Sequence, residues 1–271
     1  MKLRHILLAT AALAGLASSC SRSDGGRADG SIEFSRLSGR AAYVLTGSAK
    51  DFSRDSDVTY FDSACIIMPE RIYNLDMREL RDSIVATAFD TLTDPQRAME
   101  AYFLQNAGEE GYELRAVSTD SVNDTNSTGL TLVDGSVICL NASVLSYQVS
   151  KYIYAPCDAN GVTANRYFSV SLKDGQLLRL GDIFTPEGIK ALPPVIAERA
   201  RQMVNTVGPT TISALPANDN FYISASGAIV FAYQPYEAAS YSQGEIKIPF
   251  FDYQLSDYMT PQGLQLFGLA E

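Results

Sequence analysis

The segment YQPYEAASYSQGEIKIPFF, residues 233–251, places two carboxylates, Glu237 and Glu245, around a tyrosine-rich loop. Paired carboxylates can hydrolyse a glycosidic bond, one donating a proton while the other attacks or activates water. With 31 Asp and Glu in the chain such pairs arise readily by chance, so hydrogen-bonded or solvated structural roles compete with the catalytic one. Adjacent Ser150 and Lys151 could form a nucleophile–base dyad, but neighbours on a strand point to opposite faces. Asp55-Ser56-Asp57 and Asp24-Gly25-Gly26 lack the further oxygen ligands of a calcium loop. No glycine-rich phosphate cradle follows a strand, because SASGAIV has the form of a hairpin turn.

The first twenty residues, MKLRHILLATAALAGLASSC, have the form of a secretory leader. Lys2, Arg4 and His5 make a basic start, Ile6 to Leu16 is apolar, and Ala17, Ser18 and Ser19 precede Cys20. A cysteine after small residues predicts a bacterial lipoprotein signal over 1–19. Cys20 then becomes the acylated first residue, holding the protein to a membrane of the cell envelope, facing the periplasm or the outside. Ala17, where Leu is usual, leaves ordinary cleavage nearby, with Cys20 a free thiol, as the alternative. The only histidine in the chain is His5, so removal of the leader leaves none. That excludes Ser-His-Asp and Cys-His catalysis and histidine-ligated zinc. The sequence suggests no cofactor and no metal, and the expectation is a protein that is not an enzyme.

The formal net charge is −10, and losing Lys2 and Arg4 would make the mature chain more acidic still. Such a surface disfavours nucleic acid and is compatible with a cationic partner. Cys65, Cys139 and Cys157 stand 74 and 18 residues apart, spacings that match no zinc or redox motif. Cys65 and Cys139 lie in apolar runs and are expected to be buried thiols, with one disulfide among the three also allowed. Asn123, Asn126 and Asn141 head N-glycosylation sequons that a bacterial lipoprotein would not ordinarily use.

Residues 20–36 are polar and Gly-rich, predicting a flexible tether with a reach of about 20 Å. Folded structure is expected from Leu37. AAYVLTG and VTYFDSACIIMP have the composition of strands, the second stopped by Pro69. Leu75, Met77, Leu80, Ile84, Ala88 and Phe89 mark one helix face. Asp94-Pro95 opens another helix, expected to stop at Gly108. YELRAVSTDSV and LTLVDGSVICLNASVLSYQVSKYIY are β-rich, and RYFSVSLKDGQLLRL predicts strand, Asp174-Gly175 turn and strand. Thr185-Pro186 opens a short helix, and PPVIAERARQMVN continues helical with Val195, Ile196, Arg199 and Met203 inward or amphipathic. FYISASGAIVFAY predicts a hairpin turning at Ser226-Gly227. Interspersed strands and helices without βαβ regularity predict an α+β fold, with antiparallel sheets, helices on one face and two closely associated subdomains, 37–144 and 145–271.

From Leu145 to Phe267 the order of Asp174-Gly175, Leu180, Asp182, Phe184, Phe221, Tyr233, Tyr236-Glu237, Tyr241, Gly244 and Ile248-Pro249 resembles the RsiV-like extracytoplasmic domain. That domain occurs in lysozyme-sensing anti-sigma factors and beside peptidoglycan deacetylase domains. The strands and helix ahead of it resemble the companion N-terminal module. The resemblance implies a non-catalytic envelope protein that binds an extracytoplasmic ligand, a lysozyme-like hydrolase or an envelope-stress signal. A glycan or peptidoglycan-fragment binder and a histidine-free glycosidase are the alternatives. Where family members often carry a Gly-Gly-Ala-His-like loop, this chain reads YAPCDANGVTANRY. In the tyrosine loop, Tyr236 and Tyr241 are expected either to pack over the sheet edge, with Glu237 accepting backbone N–H groups, or to form a ligand-facing rim.

Overall fold

A computed structural model describes residues 30–46, 58–92, 94–103, 113–121, 128–156, 158–203 and 215–269. Cys20 and the rest of the leader, most of the tether, Asn123, Asn126, Cys157 and the expected helix stop at Gly108 lie outside the described residues. The fold is α+β. Strands β1 (Ile32–Thr46), β2 (Val58–Ile72), β3 (Leu75–Asp76), β4 (Glu113–Ala116), β5 (Thr128–Leu140), β6 (Val144–Tyr154) and β7 (Val162–Ser171) form one sheet. Its order is β4-β1-β2-β5-β6-β7, with β3 paired to β2. Neighbours are antiparallel except β2 and β5. A second antiparallel sheet, order β10-β9-β8, comprises β8 (Phe221–Ile223), β9 (Ile229–Tyr233) and β10 (Ile246–Phe250).

Alternation along β2 puts Ala64, Ile66 and Met68 on the face that receives α1 (Arg78–Phe89) and α2 (Pro95–Phe103). Helix α1 brings Leu80, Ile84, Val85 and Ala88 to this core, and α2 brings Ala98, Met99 and Phe103. Asp94 caps α2, its Oδ1 accepting Arg97 N–H at 3.1 Å. The second core lies between the small sheet and α3 (Leu180–Ile183), α4 (Pro186–Met203), α5 (Asp252–Leu255) and α6 (Pro261–Leu266). Phe231 is its centre, with ring contacts to Phe184, Phe221 and Phe250 at 6.1–6.3 Å.

Several expectations are corrected. Strand begins at Ile32, inside the expected tether, because Ile32 and Glu33 pair with Ile72 and Arg71. Pro69 does not stop β2. The ladder with β5 ends at Ile66, so a residue without an N–H costs no bond on that side, and an irregularity between Glu33 and Phe34 absorbs the extra residue, Glu70. The Glu70 carbonyl then accepts Met77 N–H and the Arg81 guanidinium at the start of α1. QLLRL forms no strand, only a bridge of Leu177 with Val170. Met203 is exposed rather than inward. Helix α4 runs unbroken through Pro193 and Pro194. Those prolines remove the bonds to the Ile189 and Lys190 carbonyls. Neither residue is buried, so water can take those carbonyls, while burial of Leu192, Ile196, Ala197 and Ala200 holds the helix on its core. The boundary expected at 144/145 falls at the start of β6, within the large sheet, where Val144 packs in the second core and Leu145 in the first; further along, Leu177 belongs to the first core and Leu178 to the second.

Candidate functional site

Strand β7 is the last strand of the large sheet, and the polar residues of the 233–251 segment close that edge. Gln234, one residue past β9, imitates a neighbouring strand. Its Oε1 accepts Asn165 N–H at 2.9 Å and its Nε2 donates to Asn165 O at 2.8 Å. Asn220 acts alike from the other side, its Oδ1 accepting Tyr167 N–H at 2.9 Å and its Nδ2 donating to the carbonyls of Asn165 and Ala232. Further along, the buried Ser146 and Ser169 hydroxyls lie 2.9 Å apart, and Ser146 donates to Ile223 O at 2.8 Å. This seam of side-chain bonds satisfies backbone groups that an uncovered edge strand would leave open.

Glu245 sits in the seam. Its Oε2 accepts Asn165 Nδ2 and the Tyr167 hydroxyl, both at 3.1 Å, and pairs with Lys247 Nζ at 3.2 Å. Its Oε1 is buried with no hydrogen-bond partner among the described residues. Burial, then the Glu245 charge, pushes the Tyr167 hydroxyl far above the ordinary tyrosine range, and Tyr222, 4.7 Å from Tyr167, shifts the same way. Lys247 Nζ lies 5.2 Å from the Tyr167 ring centre.

The loop beyond the seam is tightly built. Glu237 Oε2 accepts Gln234 N–H at 2.7 Å, Glu237 N–H returns to Gln234 O, and Tyr236 N–H donates to Ala239 O. These bonds hold Tyr236 at φ +73° with its side chain out, 77% exposed. Tyr241 is half-buried, its hydroxyl donating to the Gly161 carbonyl at the start of β7. The two rings stand 5.9 Å apart, tilted by 31°. A Cβ at Gly161 would meet the Tyr152 hydroxyl at 2.3 Å, so a larger residue here would force that ring to move.

The structure therefore separates the candidate residues. Glu237 closes a turn and Glu245 locks a seam, each with its own partners. Tyr241 packs against the sheet with its hydroxyl bonded, whereas Tyr236 projects into solvent. Lys151 pairs with Asp90 at 3.0 Å and lies over the Tyr102 ring rather than serving Ser150. Cys65 is half-buried and Cys139 buried, both free thiols. Among the described residues no group of three or more His, Cys, Asp or Glu could hold a metal ion, and no helix is long and apolar enough to cross a membrane. Sequence reasoning passed over Gln234, Asn220 and Asn165, whose amides carry no spacing signal. It also passed over Asp62, although Asp62 shares the i, i+2 alternation of Ala64, Ile66 and Met68.

Residues 181–250, which run from α3 to β10 and include the loop and Glu245, match the DUF3298 family, described as a protein of unknown function. No curated protein matches the chain. Two of the solved structures similar in fold are proteins of that family. A DUF3298 family member from Bacteroides fragilis is 15% identical, with TM-score 0.58, covering 85% of this chain and 94% of that one. A DUF3298 family protein from Pseudomonas aeruginosa PAO1 is 14% identical, with TM-score 0.53, covering 86% of this chain and 96% of that one. The chain thus carries a segment similar to DUF3298, within a fold shared along most of its length with proteins of that family.

Proposed function

We propose that this protein is a non-catalytic binding protein of the bacterial cell envelope, anchored through lipid on Cys20. In this reading it presents Tyr236, backed by the half-buried Tyr241 ring 5.9 Å away, to a cationic protein of the lysozyme type. The observation that carries the reading is the conformation of Tyr236. A left-handed backbone at a non-glycine residue costs on the order of 1 kcal/mol, and strain of this kind gathers at functional sites. Glycine would serve the turn better, so the presence of tyrosine is explained by its ring, held rigidly in solvent where it offers wide contact area at little entropic cost. Net charge of −10 supports a basic partner, and the RsiV-like order of residues supports a lysozyme-like one.

Immobilised protein is expected to retain lysozyme at low ionic strength and release it as salt rises. Failure to retain it at low salt removes this partner. Retention of peptidoglycan fragments in place of lysozyme would move the same tyrosine to the glycan reading.

A further inference from the structure

Asp62 belongs to neither the seam nor the loop. It stands in the row Ala41–Asp62–Thr131 across β1, β2 and β5, at 1% exposure, and neither carboxylate oxygen has a hydrogen-bond partner among the described residues. An unpartnered carboxylate in a strand with neighbours on both sides is among the costliest groups a sheet can hold. From β1 the group facing it is Tyr43, from β5 Thr131, and along β2 Tyr60, whose ring stacks on Tyr43 at 5.3 Å. The Tyr43 and Thr131 hydroxyls favour the anion without being placed for a well-formed bond, and burial outweighs them, pushing the carboxyl up to about 7. On β6 the next residue in the row is Ile153, and Lys151, opposite Val133, is engaged by Asp90. Helix α2 meets β1 near here through Met99 and Phe103 over Gly39, and the buried face of α1 is apolar. No ion pair reaches Asp62 among the described residues.

We propose that Asp62 is a proton-operated latch. Neutral, it lets β1, β2 and β5 close over it; ionised, it loosens the end of the sheet where β4 pairs with β1 along Tyr43–Thr46. The direction follows from linkage. Asp62 holds its proton more tightly folded than unfolded, so its contribution is full below the ordinary aspartate value of 3.8, falls as pH rises, and is lost above about 7. The latch does not depend on what the tyrosine loop binds.

Urea unfolding of wild type and Asp62→Asn at about pH 5.5 and about pH 8.5 tests it. Wild type is expected to lose roughly 30-fold in folding constant between the two conditions beyond any loss in the variant. Wild type alone should also show the infrared carbonyl stretch of a neutral carboxylic acid at about pH 6, where exposed carboxylates are ionised. That measurement stands even if the variant does not fold. Identical pH profiles in the two proteins, or no neutral-acid band in wild type, would overturn the proposal.

Discussion

Asn220→Asp is expected to destabilise the protein by about 3 kcal/mol at neutral pH, and by distinctly less near pH 4. Asn220 is 6% exposed and does three things with one amide: it accepts Tyr167 N–H and donates to the carbonyls of Asn165 and Ala232. Aspartate keeps the shape and the acceptor. It loses both donors and sets a negative charge against two carbonyl oxygens, which favours the protonated form. Acid therefore restores one donor. The stability difference from wild type should narrow as pH falls, in urea melts at both pH values. A penalty that did not change with pH would mean that Asn220 merely fills space.

Phe231→Ala is expected to cost about 3–5 kcal/mol, and Phe231→Leu markedly less. The ring is fully buried on the middle strand of the small sheet, between Phe184, Phe221 and Phe250. No neighbour can close the space left by removing it, because each already lies on its own strand or at a helix end. Denaturant midpoints of the two variants measure this. A small loss in the alanine variant would show that the second core collapses around the cavity and is more plastic than its packing implies.

Much of the architecture was legible in the sequence where hydrophobic period and punctuation agreed. The apolar face from Leu80 to Phe89, the Asp94-Pro95 helix start and the Ser226-Gly227 hairpin all rest on local chemistry, and all are present. Pro69 misled, because it falls where β2 has lost its β5 neighbour and tertiary packing overrides the local signal; Pro193-Pro194 did not, the helix expected through them being held by its buried face. The seam was not legible. Gln234, Asn220 and Asn165 are ordinary amides in sequence, and their role exists only once β7 and the small sheet come together across 69 and 55 residues of chain. Within the loop, sequence reasoning weighed buried tyrosines against presented ones as a single choice. The fold gives one of each, because Gly161 offers a carbonyl to Tyr241 while the turn closed by Glu237 turns Tyr236 outward.

Tyr236→Gly, followed for stability and lysozyme affinity in the same preparation, tests the central claim most directly. Glycine adopts positive φ without strain, so the account predicts a melting temperature equal to or above wild type together with at least tenfold weaker binding, about 1.4 kcal/mol or more. A variant that binds as wild type does would contradict it.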